Sequence, residues 1–155
     1  MLPKPKLLLR GVIKADSIDL WNWRNDKLTR SNSFKSKKIS FKEHKRWFAK
    51  SLKNRARRIY VATKGTDKIG TIRLDFLNKK VIELSIMVNP DHRGKNFGKQ
   101  MLKQLNDSVK EKYVNRIQKA IIKTPNVASE KTFSYAGFTK IHQTHKPAYS
   151  IWIRP

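Results

Sequence analysis

The chain has 155 residues, no cysteine, and 36 Lys and Arg against 11 Asp and Glu, a formal charge of +25. That length is one ordinary domain able to bury a real core. The missing cysteines exclude disulfides, thiolate metal sites and a cysteine nucleophile. The histidines His44, His92, His142 and His145 lack HExxH or any other compact ligand spacing, so no metal site is expected. No apolar run approaches the ~20 residues that cross a bilayer. Residues 7–9, LLL, are too short for a secretory segment and are followed at once by Arg10, so a cytoplasmic address is the expectation. A charge this large attracts nucleic acid, anionic membrane or phosphorylated small molecules. It is spread over the whole chain without a basic tail, which also describes a solvated lysine-rich surface.

Repeats, linkers and composition breaks are absent, so residues 1–155 read as one domain. Residues 6–13, KLLLRGVI, predict a strand. Residues 15–26 predict a helix with Asp16 as its N-cap and Ile18, Leu20, Trp21 and Trp23 as apolar surface. Residues 30–38 are polar and irregular, a loop. Residues 40–52 open with Ser40-x-x-Glu43, a capping-box pattern, and Phe41, His44, Trp47, Phe48 and Leu52 follow at helical spacing. Residues 57–63 and 68–77 predict a hairpin around Gly65-Thr66-Asp67. Residues 80–88, KVIELSIMV, predict another strand, ended by Pro90 because proline cannot continue a central ladder. A glycine loop and a helix over 98–112 follow, then a strand over 116–124 and a helix over 126–137 stopped by Gly137. Residues 138–146 and 148–154 close the chain as a hairpin. The order β-α-α-β-β-β-α-β-α-β-β predicts an α/β fold, a mixed sheet with helices on its faces.

The run NPDHRGKNFGKQML, residues 89–102, joins two glycines and the cations Arg93, Lys95 and Lys99 to a helix start. Gly94 and Gly98 can take backbone angles closed to other residues. The N–H groups of such a loop and of the helix behind it converge on an anion, and the helix dipole adds to the attraction. A pyrophosphate would suit this arrangement; an ordinary left-handed turn before a basic helix would also produce it. GxxxxGK[ST] and GxGxxG are both absent, so the carrier is neither a triphosphate in a P-loop nor a dinucleotide.

The stretch VNPDHRGKNFGKQML resembles the acyl-coenzyme-A loop of GNAT-type N-acetyltransferases, Arg/Gln-x-x-Gly-x-Gly/Ala, with Arg93 at the first position and Gly98 at the last. Asn96 stands where the middle glycine is usual, and asparagine tolerates positive φ. NVASEKTFSYAGF is similar to the later Asn-x-x-Ala/Ser-x-x-x-Tyr-x-x-x-Gly-Phe segment of that family through Asn126, Ser129, Gly137 and Phe138. The resemblance runs from about Leu7 to the last residue. It implies a single GNAT-like domain whose mostly antiparallel sheet has about seven strands, with helices on both faces. It also implies acetyl-CoA as cofactor, the pantetheine arm lying between splayed fourth and fifth strands much as an added strand would. By this implication Ile86, Met87 and Val88 offer backbone contacts. Arg93, Gly94, Lys95, Asn96, Phe97, Gly98 and Lys99 hold the pyrophosphate, and Asn126, Ser129 and Phe133 lie near the pantetheine arm. The implied reaction is direct attack of a neutral amine on the thioester, which needs a base and can use an acid. Glu83 is the candidate base, directly or through a water; an exposed strand carboxylate paired with a lysine is the equal alternative. The family tyrosine is Phe133 here, which has no proton to give. Tyr135 lies roughly 200° further around the helix, so solvent is the expected acid.

The front half, LWNWRNDKLTRSNSF and ISFKEHKRWFAKSL, resembles a GNAT subgroup through Trp23, Arg24, Asn25, Asp26, Ile39, Ser40, His44, Trp47 and Phe48. That subgroup includes acetyltransferases of nucleotide-linked 4-amino sugars, as in pseudaminic acid synthesis, and is related to ribosomal-protein N-terminal acetyltransferases. The implied substrate-binding residues are Arg24, Asn25, Trp47 and Phe48, the aromatic rings stacking on a sugar or base and Arg24 meeting a diphosphate. His44 is the alternative base. Trp and Phe at helical spacing also build cores, and Arg24 and Asp26 can simply pair locally. The expected partner is a small-molecule amine, nucleotide-linked. A protein N-terminus on an RNA-associated partner, another small amine, and a non-catalytic acyl-CoA-binding module stay open, as does the oligomeric state, a homodimer included.

Overall fold

The computed structural model describes residues 1–109 and 111–155. In chain order the elements are β1 (Leu7–Gly11), α1 (Ser17–Asn25), α2 (Lys27–Ser31), α3 (Phe41–Lys53), β2 (Arg57–Lys64), β3 (Asp67–Phe76), β4 (Val81–Val88), α4 (Phe97–Val109), β5 (Ile117–Lys123), α5 (Val127–Tyr135), β6 (Thr139–His145) and β7 (Ala148–Arg154). The predicted end of α4 at Lys112 is not reached, since residues 111–115 form a turn; residue 110 lies outside the described residues.

The seven strands form one sheet in the order β1-β2-β3-β4-β5-β7-β6. Neighbours run antiparallel except β4 and β5. A parallel pair cannot be joined by a tight turn, and α4 provides the crossover. Alternation along the strands sorts side chains to two faces. On one face Ile72, Leu74, Ile82 and Leu84 meet Met101, Leu102 and Leu105 of α4 and Phe133 of α5 in the larger core. On the other, Ile59 meets Leu20, Trp23 and Phe48 of α1 and α3, with Met87 against them. The β3–β4 contact is tight enough to demand glycine at 70, where a Cβ would lie 2.3 Å from the Met87 carbonyl oxygen.

Capping accounts for the helix starts. Ser40 Oγ accepts from the Glu43 N–H at 3.2 Å while Glu43 accepts from the Ser40 N–H at 3.0 Å, the expected capping box of α3. Asp16 departs from expectation. It holds the N-cap position of α1, but its side chain makes no capping hydrogen bond to that helix. Its fully buried carboxylate instead accepts from the Ile13 N–H at 2.9 Å and pairs with Arg10 at 2.8 Å and Lys68 at 2.9 Å. The Arg10 hydrogen bonds, more than any other contact, hold that carboxyl well below the usual carboxylate range. The five-residue helix α2 replaces the start of the predicted loop; Asp26 caps it by accepting from the Thr29 N–H at 3.1 Å.

Candidate active site

The site begins where the sheet comes apart. β4 and β5 pair only at Val81 with Ile117, Ile82 with Gln118, and Glu83 with Lys119. Past that point β5 stays with β7 as far as Lys123, while β4 stays with β3 as far as Val88. The β5-facing edge of β4 beyond Glu83 therefore carries backbone N–H and C=O groups without a strand partner, in position to receive an extended chain. A cleft of about 1110 Å³ opens there. Leu84, Ser85, Ile86 and Met87 line it from β4, Ile121 to Lys123 from β5, and Asn126, Ser129 and Phe133 from α5. Asn126 caps α5, accepting from the Ser129 N–H at 3.2 Å and donating to Ser129 Oγ at 3.0 Å. Val88 is outside the lining and packs on the larger core. Glu83 also stands just outside the lining, half-buried at the vertex of the splay and directly across from Asp75 on β3.

The glycine loop follows β4. Gly94 and Asn96 both hold positive φ, +74° and +61°, so asparagine does take the left-handed conformation at the middle position. Gly98 does not: it lies within α4, and its missing Cβ serves packing. A Cβ there would sit 3.2 Å from Thr132 Cγ2 of α5 and 3.6 Å from Ile86 Cδ1. Phe97 is buried with its ring edge-on to His92, so only its backbone faces outward roles. Lys95 is exposed; Lys99 lies over the Tyr135 ring at 4.7 Å. Arg93 was expected on an anion, yet its guanidinium donates to Asp26 and, at 2.8 Å, to Thr29 Oγ1. It ties the loop to α2, and it keeps the Asp26 carboxyl below its usual range. The free β4 edge, the two left-handed residues and the open helix start are a backbone-built cradle that fits an extended phosphorylated arm.

The opposite wall comes from α1, α3 and residues 32–39. Asn25 was expected to touch substrate. Its amide instead clasps the Ile39 backbone, donating and accepting at 2.8 Å each. Trp21 Nε1 donates to the same carbonyl at 2.8 Å. Arg24 donates to the Lys35 carbonyl at 2.7 Å, and Lys123 reaches from β5 to the carbonyls of Ser31 and Ser33 at 2.9 and 3.2 Å. A segment with no regular structure is thereby fixed as a wall. His44 lines the cleft, buried between Phe41 and Phe48, with Nε2 3.1 Å from Ser17 Oγ. Burial pushes its imidazole below the ordinary value, so it is neutral at neutral pH. Trp47 lines the cleft and is 36% exposed, whereas Phe48, one position on, turns into the smaller core at 4%. Tyr135 is a surface ring and Phe133 a buried one, edge-on to Phe138 at 5.0 Å. The sequence reading missed Arg57, Arg73 and Lys123 in the lining. The one available signal was charge at alternate positions of otherwise apolar strands.

No curated protein matches the sequence. Among solved structures, spermidine N-acetyltransferase from Vibrio cholerae, determined with CoA and spermine, superposes with a TM-score of 0.85 at 20% identity, over 96% of this chain and 95% of that one. A domain from Methanocaldococcus jannaschii gives 0.83 at 19%, over 97% and 98%. An acetyltransferase from Thermus thermophilus gives 0.80 at 16%, over 99% of each chain. At such identities these likenesses speak for the fold. The family model for the acetyltransferase (GNAT) domain matches residues 6–139, from β1 through the splayed strands and the loop to the start of β6. With that match and the backbone cradle in place, the chain belongs to the GNAT acetyltransferases and is an acetyl-CoA-dependent N-acetyltransferase.

Proposed function

We propose that this acetyltransferase modifies the primary amine of a sizeable small molecule, and that a nucleotide-linked amino sugar is the acceptor class. The observation that carries this reading is the continuity of the cleft. One space of about 1110 Å³ runs from the β4 edge at Ile86 and Met87 to His44, Trp47 and Arg24. It exceeds the roughly 300–1,000 Å³ of common small-molecule sites, enough for a coenzyme arm and an acceptor much larger than a simple amine. Trp47 offers a ring face for stacking and Arg24 a guanidinium for a phosphate.

Acetyl-CoA, when bound, supplies the acetyl group as a reactive thioester. The backbone of Ile86 and Met87 and the residues 94–98 would hold it, with Asn126 and Ser129 beside its arm. The protein's other task is the proton. An ammonium acceptor must lose one before its nitrogen has a free lone pair. Glu83 at the vertex of the splay takes it through a water in this reading. His44, kept neutral by burial, is the second candidate from the opposite wall. Phe133 has no proton to return to the leaving group, so water supplies it.

The test is incubation with acetyl-CoA and a UDP-linked 4-amino sugar, read by mass spectrometry. An N-acetylated sugar nucleotide is the expected product. Transfer confined to N-terminal peptides would overturn the acceptor class in favour of a protein substrate. The exposed cations of α3 (Lys42, Lys45, Arg46, Lys50 and Lys53) favour that second reading, since they could rest on RNA.

A further inference from the structure

We propose that Arg24, Arg57 and Arg73 form an oxyanion subsite in the acceptor half of the cleft, built to take a phosphoryl group on the acceptor and to turn polyamines away. The proposal rests on the reading that this half of the cleft receives the acceptor.

The three guanidiniums come from different elements and are held by different means. Arg57 of β2 and Arg73 of β3 share one carboxylate. Their Nε atoms donate to the two oxygens of Asp75 at 2.6 and 2.9 Å. Their other contacts are neutral: Ser51 Oγ at 3.0 Å and the Trp47 ring at 5.8 Å for Arg57, and Ser85 Oγ at 3.3 Å for Arg73. This trio carries a net positive charge. Arg24 approaches from α1. Its Nη2 is satisfied by the Lys35 carbonyl, but among the described residues its Nη1 is buried with no hydrogen-bond acceptor. Burial, and then repulsion from Arg30 and Arg73, weakens its hold on its proton.

No carboxylate in the lining relieves this. Seven Lys and Arg line the cleft against a single acid, Glu43, and that side chain is engaged in the capping box with Ser40. Glu83, across from Asp75, is outside the lining and forms no ion pair among the described residues. A buried guanidinium nitrogen without an acceptor is normally eliminated or paired. The persistence of Arg24 Nη1 in that state points to a partner that arrives with the substrate. Guanidinium forks match the paired oxygens of phosphoryl groups, and several converging forks suit a diphosphate. Spermine, found with the structurally similar Vibrio cholerae enzyme, is a polycation at neutral pH and would meet like charge on this wall.

The experiment uses the full chain loaded with saturating CoA, so that the coenzyme loop is filled. Calorimetric titrations then follow with UDP, inorganic pyrophosphate, malonate and spermidine at constant ionic strength. UDP and pyrophosphate are expected to bind saturably one to one, malonate at least tenfold more weakly, and spermidine not at all. Arg24→Gln and Arg73→Gln should each weaken UDP at least tenfold, while Lys103→Gln on exposed α4 surface leaves it unchanged. Arg24→Gln keeps the Arg57–Asp75–Arg73 trio whole, so it remains informative if Arg73→Gln does not fold. Spermidine binding as tightly as UDP would overturn the proposal. So would UDP binding that ignores Arg24→Gln, or no anion binding to the CoA-loaded chain. Malonate equal to UDP would overturn the phosphoryl assignment. Failure of CoA itself to bind, measured first, would overturn the reading of the cleft beneath.

Discussion

Along β4 the cleft offers a bare strand edge, and what recognises a ligand there is peptide N–H and C=O. Across from it, α1, α3 and residues 32–39 offer side chains, and recognition there depends on which residues those are. The two walls answer to different physics. The β4 wall exists because the strands part after Glu83 and because Gly94 and Asn96 turn the loop; most substitutions leave its polar groups in place. The opposite wall exists because Asn25, Trp21, Arg24 and Lys123 pin an irregular segment by its carbonyls, and its charge sits on lysine and arginine side chains. A wall made of backbone keeps its cofactor through wide sequence change. One made of side chains sets the substrate and drifts with every exchange. Neighbours at 16–20% identity share the fold.

The sharpest way to break this division is to ask which wall holds the base. Glu83→Gln is expected to lower turnover on the order of 10²–10⁴-fold with acetyl-CoA affinity unchanged. If instead His44→Gln causes that loss and Glu83→Gln does not, the base belongs to the opposite wall. Next, Gly98→Val should force α4 away from Thr132 and Ile86, costing about 1–3 kcal/mol of stability and weakening acetyl-CoA in calorimetry. Unaltered coenzyme binding in that variant would separate the loop from the cradle. Asn25→Ala removes both bonds to Ile39 and should raise the acceptor KM about tenfold, at a cost of about 1–2 kcal/mol in urea unfolding. Acetyl-CoA affinity should stay as it was, and a parallel loss of it would show that the walls are not independent.

Two smaller effects refine the picture. The folded pKa of His44 is depressed by burial, so its contribution to stability is complete above the unfolded value of ~6.5 and is lost as pH falls from there toward the folded value. The melting temperature should drop over that acid window in the wild type and drop less in His44→Gln. Phe133→Tyr should change stability by about 1 kcal/mol. A higher rate with a flatter alkaline limb would mean the new hydroxyl reaches the leaving group.

How much of this was legible follows the same division. The strands, the Ser40 capping box and the seven-stranded mixed sheet could be read from alternation and turn residues, because local patterns carry them. The loop could be read because its backbone needs residues that accept positive φ. Helix α2 could not: its five residues present no apolar face, and Asp26 and Arg93 hold it through contacts distant in sequence. Trp47 and Phe48 were taken as a pair, but adjacent helical positions point about 100° apart, so one faces the cleft and the other the core. Asn25 and Arg24 were read as ligand groups; only the fold reveals that Asn25 holds the chain itself. Arg57 and Arg73 line the cleft through contacts distant in sequence, which no local pattern states.

The bond from Arg93 to Asp26 and Thr29 has a consequence for anyone who would exchange parts between relatives. Residues 27–40 form a cassette that could be transplanted to retune the acceptor. The carboxylate of Asp26, just ahead of it, is also the counter-ion of Arg93 in the glycine loop, so a graft must leave position 26 an acid or supply another. A cassette cut after Asp26 keeps the joint; one cut before it, without an acid of its own, would loosen the loop 67 residues downstream and be misread as a defect in coenzyme binding.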